Sequence, residues 1–557
     1  MKRTVIAALA ALLFTSALPS DACTNLIVGK LASVDGSVIC SYNADSFGFV
    51  SPLSHYGPGA HPEGEMIAIR GFFGPMGGGE HLIAQAPYTY NVAGLMNENQ
   101  VTIVETTWGG RNELRNPECW LGYYNLMELA LQRSKTAREA IAVIHQLAQE
   151  YGYNESGENF VICDKEEAWI MELIGKGKGN KGMVWVALRV PDDCICAYAN
   201  SSRIQQFPQA KKADKKLGFC IADNGNCMYS ADVISFAREM GYFDGADKDF
   251  SFREAYGPLD FSAIRYCEAR VWSFFRHHTS AEEMDKYLPF LNGDQSQYDH
   301  LPLWIKPDAP LSVRDVMNDM RDHYEGTALD MTADVSAGPW ASPYRNQPVN
   351  FKSSDDTDMF RERPIGCQQS GMTMVCQMRS SLPNEVGGVT YFNMDDATMV
   401  AYVPVYCCIN RVPEPFRREN NNIREFSFDS AFWMNNWVAN MVYPRWSAMI
   451  GDLRDAQKEL EDYYAEDQKE VEAQVAQLTP SARVEYLTAK TEAYADKMMK
   501  RWDALAKFLI VKHNDQVMQP SENGAIVPGR RTSPAYAPAF IDAVKAQTGD
   551  RYVKPAN

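Results

Sequence analysis

The sequence predicts an α+β protein in which antiparallel sheets stack and helices cover them from outside. Three observations carry that expectation. Short strand-like runs recur over residues 160–200, as NFVICD, AWIMELIG, MVWVALRV and CICAYAN. A helical pair precedes them at 122–150, and this grouping of strands and helices suits stacked sheets with outer helices. From about residue 429 the composition shifts to two long helical segments separated by Pro480, which read as a helical hairpin appended to the β-rich body.

In chain order, residues 1–22 have the form of a secretory signal peptide. Lys2 and Arg3 form a positive start, Val5 to Phe14 an apolar run, and Ser20-Asp21-Ala22 a small-x-small cleavage site. Residues 23–60 read as strand, turn, strand, with Asp35-Gly36 as the hairpin signal. The glycine-rich GFFGPMGGG at 71–79 lacks the GK[ST] ending of a phosphate loop and reads as a turn. Residues 91–108 read as turn then strand, 262–277 and 311–325 as helices, and 385–406 as a hairpin. The helical hairpin is expected to pack onto the body rather than project as a coiled-coil arm. The proline- and polar-rich end is expected to hug the surface or fray. The expected organisation is therefore 1–22 leader, 23–428 catalytic domain, 429–512 helical extension and 513–557 tail.

The formal charge of −17 argues against nucleic acid or an anionic membrane as partner. After the leader no apolar run approaches the roughly 18 residues needed to span a bilayer, so no membrane insertion is expected once the leader is removed. The 13 cysteines leave an even number if Cys23 is set aside, which permits disulfides without requiring them. Several sit in apolar stretches and read as small buried core residues.

Cys23 is the residue with the most to say about chemistry. Cleavage after Ala22 would leave it as the N-terminus, carrying both a thiol and a free α-amine. The thiol can serve as nucleophile and the amine as the base that activates it, the pairing used by N-terminal-nucleophile (Ntn) hydrolases. An ordinary α-amine has a pKa of about 7.7–8.0, so a useful fraction is neutral and able to accept the proton. The competing interpretations are a buried cysteine and a lipidated one. A lipoprotein signal wants an aliphatic residue three places earlier, where this chain has Ser20.

The segment CTNLIVGKLASVDGS at 23–37 resembles the opening of the dipeptidase family of Ntn cysteine hydrolases, relatives of penicillin V acylase and bile salt hydrolase. Seven further blocks follow in family order: MNE at 96–98, WVALRVPDD at 185–193, ANSSRI at 199–204, RVW at 270–272, RDHYEGTALDMT at 321–332, GPWASPYR at 338–345 and GGVTYFNMDD at 387–396. The resemblance implies a four-layer αββα sandwich and hydrolysis of short peptides, with dipeptides as substrates. It assigns Cys23 as nucleophile, Asp45 as the carboxylate that holds the terminal amine, and Asn200 as an oxyanion donor. Arg270 is assigned as a supporting arginine, with Arg265 and Arg276 as competitors in the same segment. The acylase relatives have an arginine where this chain has Tyr42, so no arginine role carries over there. Their second oxyanion donor aligns near Thr107, where a backbone N–H of Thr106 or Thr107 could substitute.

No metal or organic cofactor is implied. His277-His278 would point to different sides of a helix and make a poor metal pair. Asp192-Asp193 and Asp395-Asp396 read as solvated turn acids. Two alternatives to a dipeptidase stay open: an acylase of non-peptide amides from the same superfamily, and an exported binding protein lipidated on Cys23. Export is expected in either case, with the periplasm favoured over the extracellular space.

Overall fold

The computed structural model describes residues 23–69, 81–294, 296, 300–345 and 349–555. The signal-peptide and 71–79 expectations lie outside them. Ten strands build the parts of two sheets that frame the site: β1 (Asn25–Val28), β2 (Val38–Asp45), β3 (Thr102–Gly109), β4 (Gly157–Cys163), β5 (Ala168–Gly175), β6 (Met183–Arg189), β7 (Ile195–Tyr198), β8 (Ser370–Met378), β9 (Gly388–Asn393) and β10 (Val403–Tyr406). The helices named below are α1 (Tyr123–Arg133), α2 (Ala137–Tyr151), α3 (Ala269–His277), α4 (Val313–Asp319), α5 (Ala431–Val442), α6 (Trp446–Val475), α7 (Pro480–Lys512) and α8 (Pro538–Thr548).

A seven-stranded sheet runs Trp304–Ile305, β7, β1, β2, β8, β9, β10. A nine-stranded sheet contains β6, β5, β4 and β3 in that spatial order, with short strands on both flanks. Pairing is antiparallel throughout these ladders. The β1–β2 hairpin forms as expected, with Ile27 opposite Cys40. Gly36 supplies the positive φ of +74° that its turn requires, and Asp35 Oδ1 accepts the Ser37 N–H at 3.1 Å.

Alternation along the strands sorts side chains into two cores. Ile27, Val38, Cys40, Tyr42 and Ala44 join Ile103, Phe160 and Ile162 of the other sheet in one buried cluster. Leu26, Val28, Ile39, Ile195 and Ala197 face the other way, onto Trp272 and Phe275 of α3 and Val316 of α4. Helices α1 and α2 pack on the nine-stranded sheet, where the Trp185 indole N–H donates to His145 Nδ1 at 3.1 Å. The observed class is mixed α+β.

Helices α6 and α7 form an antiparallel hairpin, with Lys512 on Asp452 at 2.7 Å near one end and Lys490 on Asp467 at 2.9 Å toward the other. It is docked on the body: Gln457 Nε2 donates to the Thr398 and Val400 carbonyls, and Glu461 accepts from the Tyr402 N–H and pairs with Arg314 and Arg321. Among the described residues no helix is long and apolar enough to cross a membrane.

Several local expectations need correction. The stretch from 429 is not one helix, because Pro444 interrupts it between α5 and α6. Pro480 opens α7 at its first position, after Thr479. The helix expected over 311–325 stops at Asp319, where the chain turns into a segment with Tyr324 at φ +66°. The tail carries α8, reached by the Ala537 N–H donating to the Pro339 carbonyl at 2.9 Å. Asp395 and Asp396 are buried rather than solvated. Tyr344 and Tyr443 donate to Asp396, and Asn436 of α5 donates to Asp395.

His277 and His278 do not diverge. The helix ends between them, and both rings reach the Asp319 carboxylate, at 2.9 Å and 2.7 Å. Burial opposes a charged His277, but the hydrogen bond to Asp319 and the charge of Asp322 outweigh it and push its pKa up to about 9. A raised histidine pKa contributes stability that is fully present below about pH 6.5 and lost as pH rises through about 9. His277→Gln is therefore expected to cost about 1–2 kcal/mol at pH 6 and little at pH 10, read from denaturant melts at the two pH values.

Candidate active site

Cys23 stands two residues before β1, 3 % exposed. Its neighbour Thr24 exchanges backbone hydrogen bonds with Asn43 of β2, at 3.2 Å and 3.1 Å. This pins the cysteine beside the end of β2, where Tyr42, Ala44 and Asp45 stand. All four residues line a cavity of about 450 Å³. Its other walls are largely apolar, including Leu53, Met127, Met372, Met374 and Phe392.

The β2–β8 ladder slips by one residue at Gly371, so that Asp45 faces Ser370. Such irregularities re-aim side chains at strand ends. Ser370 Oγ donates to Asp45 Oδ1 at 2.6 Å, while Oδ2 is buried without a hydrogen-bond partner among the described residues. Burial pushes the Asp45 pKa up to about 7, against the pull of the Arg363 charge and the Ser370 hydrogen bond. A carboxyl with a raised pKa contributes stability that is full below about pH 4 and lost as pH climbs through about 7. While residue 23 is still in peptide linkage to residue 22, Asp45→Asn should thus flatten the stability profile over that interval by about 1–3 kcal/mol, measured by chemical denaturation at pH 4, 5.5 and 7.

Arg270 lies on α3, two residues beyond the π-helical turn Ala263–Glu268. Its side chain is fully buried and fully used. Nε donates to the Tyr266 carbonyl at 2.7 Å. Nη1 donates to the Cys23 carbonyl at 2.8 Å and Thr24 Oγ1 at 2.7 Å, and Nη2 to the Ala199 carbonyl at 2.9 Å and Asn200 Oδ1 at 3.0 Å. The competing arginines point elsewhere: Arg265 to Glu362 and Arg276 to Asp285.

Asn200 follows β7 with φ at +67°, a conformation asparagine tolerates better than most residues. Its Oδ1 is held by Arg270, and its Nδ2 donates to the Thr107 carbonyl of the other sheet at 2.6 Å. A side-chain amide has two N–H bonds, so one remains after the Thr107 contact. Arg270 thus joins two of the sequence-chosen residues directly, Cys23 and Asn200, and its charge is also felt at Asp45.

Glu105, which the sequence reading missed, stands beside the sulfur. It projects from β3 across the inter-sheet space, with Oε1 3.3 Å from Cys23 Sγ. The Tyr42 hydroxyl donates to the same oxygen and lies 3.7 Å from the sulfur. Tyr42, at the position where the acylases have arginine, is therefore beside the thiol after all. A glutamate inside the β-branched run VTIVETTW is the signal that was available, since a carboxylate in a buried strand is rare without a role. Burial raises the thiol pKa well above its ordinary value, and the charges of Glu105 and Asp45 raise it further, against the Asp45 backbone N–H and the Tyr42 hydroxyl. A thiol in this setting needs a base to become a nucleophile.

Comparison with known proteins bears on what this constellation belongs to. The model of peptidase family C69 matches residues 22–55 and 76–459. The chain belongs to peptidase family C69. All the site residues above fall inside the matched segments, and membership makes the protein a peptidase. Curated relatives include a probable dipeptidase of Salmonella dublin, 25% identical over 405 residues, 69% of this chain and 81% of that protein. A probable dipeptidase of Latilactobacillus sakei is 23% identical, covering 81% and 87% of the two chains. Dipeptidase A of Lactobacillus helveticus is 23% identical, covering 85% and 93%.

Proposed function

We propose that this C69 peptidase is an exported dipeptidase with the four-layer αββα architecture of the Ntn hydrolases. Residues 23–428 form the catalytic domain, with 429–512 as a helical extension. The observation that carries the proposal is Cys23 on the wall of a cavity of about 450 Å³, with its own carbonyl clamped by Arg270 and beside it a buried Asp45 oxygen that no described residue hydrogen-bonds. The names of the relatives support a dipeptide substrate.

Removal of residues 1–22 exposes the α-amine of Cys23, and Asp45 Oδ2 accepts a hydrogen bond from it. The neutral amine takes the thiol proton, and the thiolate attacks the carbonyl carbon of the peptide bond. Negative charge collects on the carbonyl oxygen, where the second Asn200 N–H donates. Collapse breaks the C–N bond, the Cys23 ammonium gives its proton to the leaving amine, and a thioester remains on Sγ. The amine then takes a proton from water, the hydroxide attacks the thioester, and the thiol is regenerated as the acid leaves. Arg270 fixes Cys23 and Asn200 relative to each other and is a positioning residue.

A substrate panel tests this: unblocked dipeptides against N-acyl amides such as penicillin V and glycine-conjugated bile salts. Turnover of dipeptides is expected, and turnover of the amides alone would replace the proposal with an acylase. A diacylglycerol adduct on Cys23 in the mass spectrum would remove the catalytic scheme altogether.

A further inference from the structure

Glu105 has no part in that scheme, yet it stands 3.3 Å from the nucleophilic sulfur and is almost fully buried. The Tyr42 hydroxyl fixes Oε1 in place. On the adjacent strand Glu158 lies opposite Thr107, whose hydroxyl donates to it at 2.9 Å. Burial, and then the Glu105 charge, raise the proton affinity of Glu158 well above that of an ordinary carboxyl. Glu105 and Glu158 are thus a coupled pair of buried carboxyls, and the Glu105 charge also acts on the Cys23 thiol. An anion here hinders catalysis taken alone, because it disfavours the thiolate and repels a developing oxyanion. A cation brought in by the substrate turns the same charge into a binding contact.

A peptide with a free N-terminus brings such a cation to the right place. Its α-ammonium nitrogen is two bonds, about 2.5 Å, from the carbonyl carbon of the first peptide bond. With that carbon at attack distance from the sulfur, about 3–3.5 Å, the ammonium comes within reach of a carboxylate 3.3 Å from Sγ. The same cavity offers one basic side chain among its described residues, Arg418. It is exposed, and its guanidinium makes no hydrogen bond or ion pair with a described residue.

We propose that Glu105 is the specificity-determining anchor for the α-ammonium of the substrate and Arg418 the counterpart for its α-carboxylate, so that the cavity selects the unblocked dipeptide zwitterion. Binding of the ammonium also neutralises the charge that opposes the thiolate, so the correct substrate favours its own attack. This assignment rests on the dipeptidase function proposed above.

The test compares kcat/KM for leucyl-leucine, its N-acetyl derivative and its C-terminal amide, on the wild-type protein, E105Q and R418Q. The wild type is expected to prefer the free dipeptide over the N-acetyl form by about 100-fold or more, and E105Q to lose about 10- to 100-fold on the free dipeptide, collapsing that ratio. R418Q should collapse the ratio of free dipeptide to amide, mainly through KM. Equal wild-type rates on free and acetylated substrate would overturn the assignment, and this comparison needs no variant to fold. An equal loss on both substrates in E105Q would also overturn it, assigning Glu105 to the thiol instead. A wild-type protein that hydrolyses no dipeptide would sink the dipeptidase function and this assignment with it; hydrolysis without end-group preference sinks the assignment alone.

Discussion

Cys23→Ala is expected to abolish peptide hydrolysis, lowering kcat by about four orders of magnitude or more, while the protein still folds. The substitution removes a single sulfur atom that faces the cavity, so the stability cost is on the order of 1 kcal/mol. Cys23→Ser is the sharper variant, because it keeps the shape and a hydroxyl. Its proton is far harder to remove than that of a thiol, in a pocket where burial and two carboxylates already oppose the anion. A fall of about two orders of magnitude or more is expected there too. Steady-state kinetics beside thermal melts of both variants checks this. Activity retained by a folded Cys23→Ala protein would remove Cys23 from the chemistry.

Arg270→Met is expected to have the second-largest effect, on stability and activity together. It deletes hydrogen bonds to the Tyr266, Cys23 and Ala199 carbonyls, to Thr24 Oγ1 and to Asn200 Oδ1, all in a site closed to water. Leaving buried acceptors unpaired should cost about 3–5 kcal/mol. Even where the variant folds, Cys23 and Asn200 lose the group that fixes them relative to each other. A displacement of 1 Å in such a constellation costs about 100-fold in rate. Arg270→Lys should rescue little, since an ammonium cannot make the forked contacts that reach both residues at once. A soluble Arg270→Met protein with wild-type kcat would show that the bridge is not needed.

What could be read in the sequence was local. The Asp35-Gly36 turn, the strand runs and the α1–α2 pair are each written within a few consecutive residues. Asn200 and Arg270 could be named because they lie inside the blocks ANSSRI and RVW, and Asp45 through its resemblance to the acylase aspartate. Glu105 could not, because its meaning depends on β3 facing β1 across the inter-sheet space, a pairing of residues 82 positions apart. The burial of Asp395-Asp396 was hidden for the same reason: the tyrosines and asparagine that donate to them come from residues 344, 443 and 436. His277 and His278 were misjudged because an ideal helix was assumed to run past the residue at which α3 ends. The early stop of α4 likewise follows from tertiary contacts, as Arg321 and Asp322 are drawn to Glu461 and Ser273.

The central claim, that Cys23 acts as both nucleophile and base, is tested most directly by the N-terminal sequence and intact mass of the catalytically active protein. The account predicts a chain that begins at an unmodified Cys23, with its α-amine free. Full dipeptidase activity in a chain that begins at any other residue would contradict it, because the base would then be missing from the place where the thiol needs it.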